Sequence, residues 1–540
     1  MPLLPGGVPS DPASDAFSAR HASQLIERLA VEPRPIGSAA SERARRMIVD
    51  ELRQLGLDPR LQTIEVRDYF GINGGSPVEL ANVLSRIPGR ASTGAVALVG
   101  HYDTVPTSPG ANDDASAVAV ILEVARAILA GPPVSNDVIL LFTDGEEPAP
   151  RFGSSAFVAE HPWAGDVAFV VNLEAIGGYG PATLISIAGP AELVLEGYAA
   201  SVPRPMAFSY LTATTALIGG SISDFDTFRN ARVPGVELAY LHGSSIYHTM
   251  ADAPDRVSVG SLQHAGESAL AITRQVANLD LAGPQPAEST VFLTIGRTVV
   301  RYPAAATLVA VVLAGIALVL GVFAVARTRR RLVWRGVSRG LLALAVALVA
   351  TNVGAVVTWS FVAGVRTDMG FAESYLYLAG LVAFAWAVHV GVRRFAAARS
   401  DPLAIAVGVA AAWWLLGSPI ALAMPEIGYL FAWPTLVAGA VILVRSSGGG
   451  GNWFDLAGFA LVATTVLVLM VPAVDTFYQL AQPRPGNPDS QLLWLIAVPA
   501  TLVALTVELL AAFWPRAVAR GTRDGSTLEL TRPSTDISDI

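Results

Sequence analysis

Residues 95–131, AVALVGHYDTVPTSPGANDDASAVAVILEVARAILAG, decide the fold. The run AVALVG is uniformly apolar, as a strand buried on both faces should be, and Ser116 to Ala130 carry apolar side chains at helical spacing. The stretch therefore reads as strand, turn and helix. Working outward, DVILLFTDG from Asp137, AFVVNLEA from Ala168, TLISIAG from Thr183 and VPGVELAY from Val233 repeat the strand pattern. Ser154 to Glu160, Ala191 to Ser201 and Ser258 to Ala277 repeat the helical one. This alternation, over residues 15–281, predicts an α/β domain with a doubly wound, mostly parallel central sheet flanked by helices. Residues 1–14 read as a disordered leader, and 282–303, with Pro284 and Pro286, as a linker.

Beyond the linker the composition changes abruptly. Ala304 to Ala326, Leu341 to Val365, Tyr375 to Val392, Pro402 to Met424, Ile427 to Val444, Leu456 to Val474 and Leu492 to Trp514 are apolar runs near the ~20 residues that cross a bilayer. Any one of them could be a buried core helix, but seven in succession read as an all-α transmembrane bundle over 304–514, followed by a cytoplasmic tail over 515–540. Glu508, inside the seventh run, is an ionisable group at membrane depth and a functional candidate by that fact. The whole chain of 540 residues has 15% charged residues and a mean hydropathy of +0.50, which agrees with lipid as one partner.

Charge excludes some classes. The net charge is −8 and no basic stripe is present, so nucleic acid is not a partner. The chain has no cysteine, so any metal must sit on His, Asp and Glu. It has no lysine either, which fits a GC-biased genome and points to a bacterial cell membrane. Arginines cluster after the first, third, fifth and seventh apolar runs, and the rule that positive loops stay inside puts the α/β domain on the non-cytoplasmic face. The first twenty residues show no charged n-region and no apolar stretch of signal-peptide length, so the expectation is a natural product that begins upstream with an apolar anchor.

Five strand ends or loops offer metal-ligand side chains, and in open α/β sheets such ends converge at one edge. His101 and Asp103 form H-x-D, in which the carboxylate can hydrogen-bond the second ring nitrogen and fix the tautomer. Asp113 sits in the turn GANDDASA, where its carboxylate could bridge two cations or simply cap the following helix. FTDGEEPA sets Glu146 and Glu147 side by side at a strand end. Two such carboxylates repel unless a cation neutralises one, so Glu147 reads as ligand and Glu146 as the base that takes a proton from water acidified by the metal. Glu174 ends the next strand, in NLEAIGGYG, and SIYHTMADAPDRV contributes Tyr247 and His248. Each alone has an ordinary structural explanation. Together they compose two N/O sites with a shared carboxylate, as a two-zinc hydrolase requires.

The order HYD, NDD, GEE, NLEA, YHT resembles the zinc exopeptidases of metallopeptidase family 28. NLEAIGGYG, SDFDTF at Ser223 and the run from VPGVELAY to YHTMADAPDRV are similar to the membrane-bound branch, the endoplasmic-reticulum and fungal vacuolar-membrane metallopeptidases. The resemblance implies two Zn2+ per chain, one on His101, Asp113 and Glu174 and the other on His248, Glu147 and the bridging Asp113. It also implies Glu146 as general base, Asp103 as the group orienting His101, and Tyr247 as a tyrosine that can polarise the scissile carbonyl. Peptides would be the substrates and aminopeptidase action the reaction. Two departures stand out: Asp114 replaces a common Asn, and Glu174 replaces the Asp of many soluble relatives. A non-catalytic receptor or scaffold on the same fold predicts lost ligands, and here all are retained. A single-zinc acyltransferase of the glutaminyl-cyclase kind is the other alternative, to be separated by metal stoichiometry.

Overall fold

A computed structural model describes residues 8–480, apart from 10–11, 68–75, 148–150, 190, 283–289, 330–332, 366–370, 398–401 and 448–451. Its centre is the strand, turn and helix quoted above: β3 (Ala95–His101) and α3 (Ala115–Ala130). Alternate β3 residues serve opposite layers, Val96 and Leu98 packing on one face and Ala95, Ala97 and Val99 on the other. Helix α3 is apolar all round because it lies between the sheet and other helices. Its Val118, Val120, Ile121, Val124 and Ile128 are each at most 4% exposed, and each such burial stabilises by about 1.5–3 kcal/mol. Buried Glu123 on α3 is held by Arg126 through two 2.8 Å bonds.

Around this unit β1 (Arg60–Arg67), β2 (Pro77–Ile87), β4 (Asp137–Thr143), β5 (Val167–Ala175), β6 (Thr183–Ala188) and β7 (Gly235–Tyr240) complete a seven-stranded sheet in the order β1-β2-β4-β3-β5-β7-β6. The inner four are parallel; β2 and β6 run against them, and β1, antiparallel to β2, runs with them again. Helices α1 (Ala19–Leu29), α2 (Ala39–Gln54), α5 (Ala191–Ser201) and α8 (Val259–Val276) share a face with α3, while α4 (Phe152–Glu160) and α7 (Asp224–Asn230) cover the other. The expected mostly parallel α/β sheet is therefore present, with an antiparallel margin that the apolar pattern did not announce. The carboxyl ends of β3, β4, β5 and β7 open on one edge, where the chain leaves β3 for β4 on one side and returns to β5 on the other.

The expected linker is partly wrong. Thr290–Ile295 and Thr298–Pro303 form a hairpin, β8 and β9, closed by a two-residue turn whose Gly296 has φ +64°. Val291, Phe292 and Leu293 are buried against the segment leading to α6 (Ser209–Leu217), which overrides the polar, proline-bearing text before them.

Six helices long and apolar enough to span a membrane follow among the described residues: α9 (Ala304–Arg329), α10 (Val333–Val365), α11 (Phe371–Ala397), α12 (Pro402–Ala423), α13 (Pro425–Ser446) and α14 (Asn452–Leu480). The seventh expected span, with Glu508, and the tail over 515–540 lie outside the described residues. Helices α10 and α12 cross closely through Gly336, Gly340, Ala404 and Gly408, and a Cβ on Gly408 would collide with the Val337 carbonyl. The α/β domain rests on one end of this bundle. Ser209 Oγ donates to the Glu426 carbonyl (2.9 Å), Tyr210 to Thr476 Oγ1 (3.1 Å) and Trp433 Nε1 to the Tyr302 hydroxyl (2.8 Å). Arg445, at the far end of α13, pairs with Asp455 at 3.0 Å.

Candidate metal centre

The carboxyl ends of the parallel strands bring the expected residues together. Asp113 lies between the two histidines: its Oδ1 is 3.2 Å from His101 Nε2 and its Oδ2 is 3.2 Å from His248 Nε2. Glu147 Oε2 lies 3.1 Å from the same His248 nitrogen, and Glu174 Oε2 and Glu146 Oε2 each lie 3.9 Å from His101 Nε2. Two groups of possible ligands result, His101 with Asp113 and Glu174, and Asp113 with Glu147 and His248. Tyr247 stacks on His248, with ring centroids 3.8 Å apart, and borders the same cavity of about 310 Å³.

Local structure explains why these side chains face inward. The helix cap that Asp113 could have been is supplied by Asp114, which accepts from Ala117 N at 3.3 Å and from His101 N at 3.3 Å. The Asp113–Asp114 peptide bond is cis. Asp103 does more than face His101. Its carbonyl is 3.1 Å from His101 Nδ1, whereas its carboxylate, 3.6 Å from that nitrogen, accepts from the amides of Glu146 (3.1 Å) and Glu147 (3.3 Å). One residue thus aims Nε2 of His101 into the site and fixes the Gly-Glu-Glu turn. His248 has φ +61°, a left-handed backbone that a non-glycine side chain adopts where its surroundings dictate it.

Three supports have no clear sequence signal. Asp252 accepts from Asn112 N (2.9 Å), Asn112 Nδ2 (2.7 Å) and Asp113 N (3.1 Å), which ties the Asn-Asp-Asp turn to the segment after His248. Arg34, 1% exposed, donates to the carbonyls of Tyr102 (2.8 Å), Leu29 (3.2 Å), Pro109 (2.5 Å) and Gly110 (3.2 Å), cross-linking the loops that carry Asp103 and Asp113. Glu237, on β7, borders the cavity and accepts from Asn172 Nδ2 at 3.3 Å and from Ser223.

Electrostatics supplies the test for a metal. Burial pushes the carboxyls of Glu146 and Glu174 well above the usual carboxylate range, and burial together with Asp113 brings Glu147 to about 7. Burial also opposes the charged form of His248, but Asp113 and Glu147 outweigh it and raise that imidazole to about 10. Arg34, the cation among them, is lowered to about 10 by burial and spends its donors on backbone carbonyls. Asp113 Oδ2, Glu147 Oε1 and His248 Nε2 are buried with no hydrogen-bond partner. Oxygen and imidazole donors, an excess of buried negative charge and orphaned ligand atoms fit Zn2+.

Residues 82–273 match the model of Peptidase family M28. Endoplasmic reticulum metallopeptidase 1 of Rattus norvegicus is 30% identical over 311 residues, which cover 53% of this chain and 34% of the rat protein. Vacuolar membrane protease of Eremothecium gossypii is 27% identical over 273 residues, covering 47% of this chain and 26% of that protein. Among solved structures, a zinc aminopeptidase from Bacillus subtilis superposes with a TM-score of 0.41 at 18% identity, over 48% of this chain and 95% of that one. The chain spans only about a third or less of the length of the two membrane relatives. Residues 82–273 of the α/β domain thus carry the match to peptidase family M28, and six helices long and apolar enough to cross a membrane follow that domain among the described residues.

Proposed function

We propose that the protein is a two-zinc aminopeptidase that removes N-terminal residues from peptides delivered to one face of a membrane. The observation that carries this reading is Asp113, whose two carboxylate oxygens each face a different histidine at 3.2 Å. His101, Asp113 and Glu174 would hold one ion, and Asp113, Glu147 and His248 the other. Zinc bound there supplies Lewis-acid activation of water and of the scissile carbonyl.

The chain's own residues supply the rest. Glu146 borders the cavity without belonging to either ligand group, so its carboxylate is available to take the proton of the attacking water and pass it to the leaving amine. Its burial holds the proton tightly, and a nearby dication favours the ionised form that a base needs. Asp103 keeps Glu146 and His101 in register through the bonds described above. Tyr247 donates its hydroxyl to the carbonyl oxygen as charge develops there.

The cavity walls support the amino end as the one recognised. No Arg or Lys borders the cavity among the described residues, so no fixed side-chain cation is there to pair with a C-terminal carboxylate. Ile176, Ile185 and Ile222 form an apolar side that fits an aliphatic first side chain. The α/β domain and Arg445 lie at opposite ends of the bundle, which supports a non-cytoplasmic site.

The test is a matched peptide panel on the full chain. Peptides with a free N-terminus and a leading Leu or Val should lose that residue, and the same peptides N-acetylated should be inert. Cleavage of the acetylated set would contradict exopeptidase action. Cyclisation of N-terminal Gln without peptide cleavage would install the acyltransferase reading in its place.

A further inference from the structure

A second cavity, of about 500 Å³, lies where the α/β domain, the β8–β9 turn and α14 meet. One wall is membrane helix: Leu467, Val468 and Val471, within the span Trp453–Leu480, with Leu467 56% exposed on the bundle surface. The opposite wall belongs to extramembrane segments and carries Arg204, between α5 and α6, and Arg297, in the hairpin turn. No carboxylate lies within ion-pair distance of either arginine among the described residues. Asp475, which also lines the cavity, accepts from Tyr375 at 3.0 Å and faces His242 Nε2 at 3.7 Å, so its charge is directed at those groups.

We infer that this cavity is a binding site for an anionic phospholipid. The apolar wall opens at bilayer depth, where the neighbouring molecules are acyl chains, and a chain laid along Leu467, Val468 and Val471 keeps that surface from water. The two arginines stand at headgroup level, where a phosphodiester accepts their N–H donors. Zwitterionic lipid offers the same chain but a cancelling ammonium, so charge selects among lipids that shape alone would admit.

The site also adjoins the start of the loop that carries His248. Leu241 and His242 line it, and the loop that continues to Tyr247 and His248 is braced on the same helix, Ser244 Oγ donating to the Gln479 carbonyl at 2.8 Å. A lipid seated there packs against the base of the loop that presents His248.

The experiment uses the full chain in neutral detergent, mixed with phosphatidylglycerol or phosphatidylcholine of identical chains, with retained lipid read by native mass spectrometry. Phosphatidylglycerol should be preferred about 25-fold, about fivefold for each arginine near the headgroup. Arg204→Gln with Arg297→Gln should erase the preference while leaving phosphatidylcholine retention as it was, and Val471→Trp, which fills the cavity, should reduce both. Equal retention of the two lipids by the unaltered chain, or a preference that survives the double substitution, would overturn the proposal. Displacement of the lipid by glycerol phosphate alone would also overturn it, since the occupant would then be a soluble anion. Because the double variant changes half-buried and exposed side chains only, it keeps the test decisive if Val471→Trp does not fold.

Discussion

The two halves of the chain bury carboxylates in opposite ways. In the helical bundle the buried acids described stand singly, each beside a protein donor: Asp455 beside Arg445 at 3.0 Å, although its Oδ1 makes no hydrogen bond, and Asp475 beside the Tyr375 hydroxyl and His242. At the strand edge Asp113, Glu146, Glu147 and Glu174 crowd around two imidazoles, and ligand atoms there are left with no hydrogen-bond partner. An uncompensated buried charge costs several kcal/mol, and a cluster of this density lowers that cost by holding protons or by taking up cations. The bundle keeps its buried acids apart, whereas the strand edge gathers the donor set that the proposed cations would use.

The sharpest way to break this contrast is to remove the shared anion. Asp113→Ala should abolish turnover and lower bound zinc from two ions to fewer than one, measured by plasma emission on the purified chain. Retention of both ions would mean that Asp113 is dispensable and the two ligand groups independent. Next in size is Glu146→Gln, which should cut kcat by at least ~10²–10⁴-fold while zinc content is unchanged. Near-normal kcat would remove Glu146 from the chemistry.

Glu237 gives a pH test. Burial raises its carboxyl to about 7, whereas in the unfolded chain it titrates near about 4.3. Between those values the folded state binds the extra proton, so stability from this group is present below pH ~4 and declines as pH rises to about 7. The full loss is about 4 kcal/mol at most, and Glu237→Gln should flatten that part of the stability curve. A slope unaltered by the substitution would assign it elsewhere. In the bundle, Gly408→Val should lower the thermal midpoint through overpacking of about 1–3 kcal/mol against the Val337 carbonyl, with zinc stoichiometry untouched. Loss of zinc in that variant would show that the two halves do not keep their polar accounts separately.

What could be read from sequence follows the same contrast. His101, Asp113, Glu146, Glu147, Glu174 and His248 were legible because each ends or follows a continuous apolar strand, and parallel strands deliver their carboxyl ends to one edge. Strand β1, RLQTIEVR, was not legible: it is a half-exposed edge strand with no apolar run to mark it. Arg34 was invisible for another reason, since its partners are backbone carbonyls as far as Gly110, which no local spacing encodes. The cap of α3 fell to Asp114 because backbone geometry, not residue preference, chooses between adjacent aspartates. The hairpin Thr290–Pro303 was masked by the prolines before it, although a Gly-Arg pair between two β-rich runs was its available signal.

The most direct test of the central claim is a zinc titration of metal-stripped, full-length protein, followed by calorimetry and by activity on a free N-terminal Leu peptide. The account predicts two ions bound per chain, with cleavage appearing as the second site fills and a single ion bound by His248→Ala. Saturation at one ion with full activity, or cleavage with no metal bound, would contradict it.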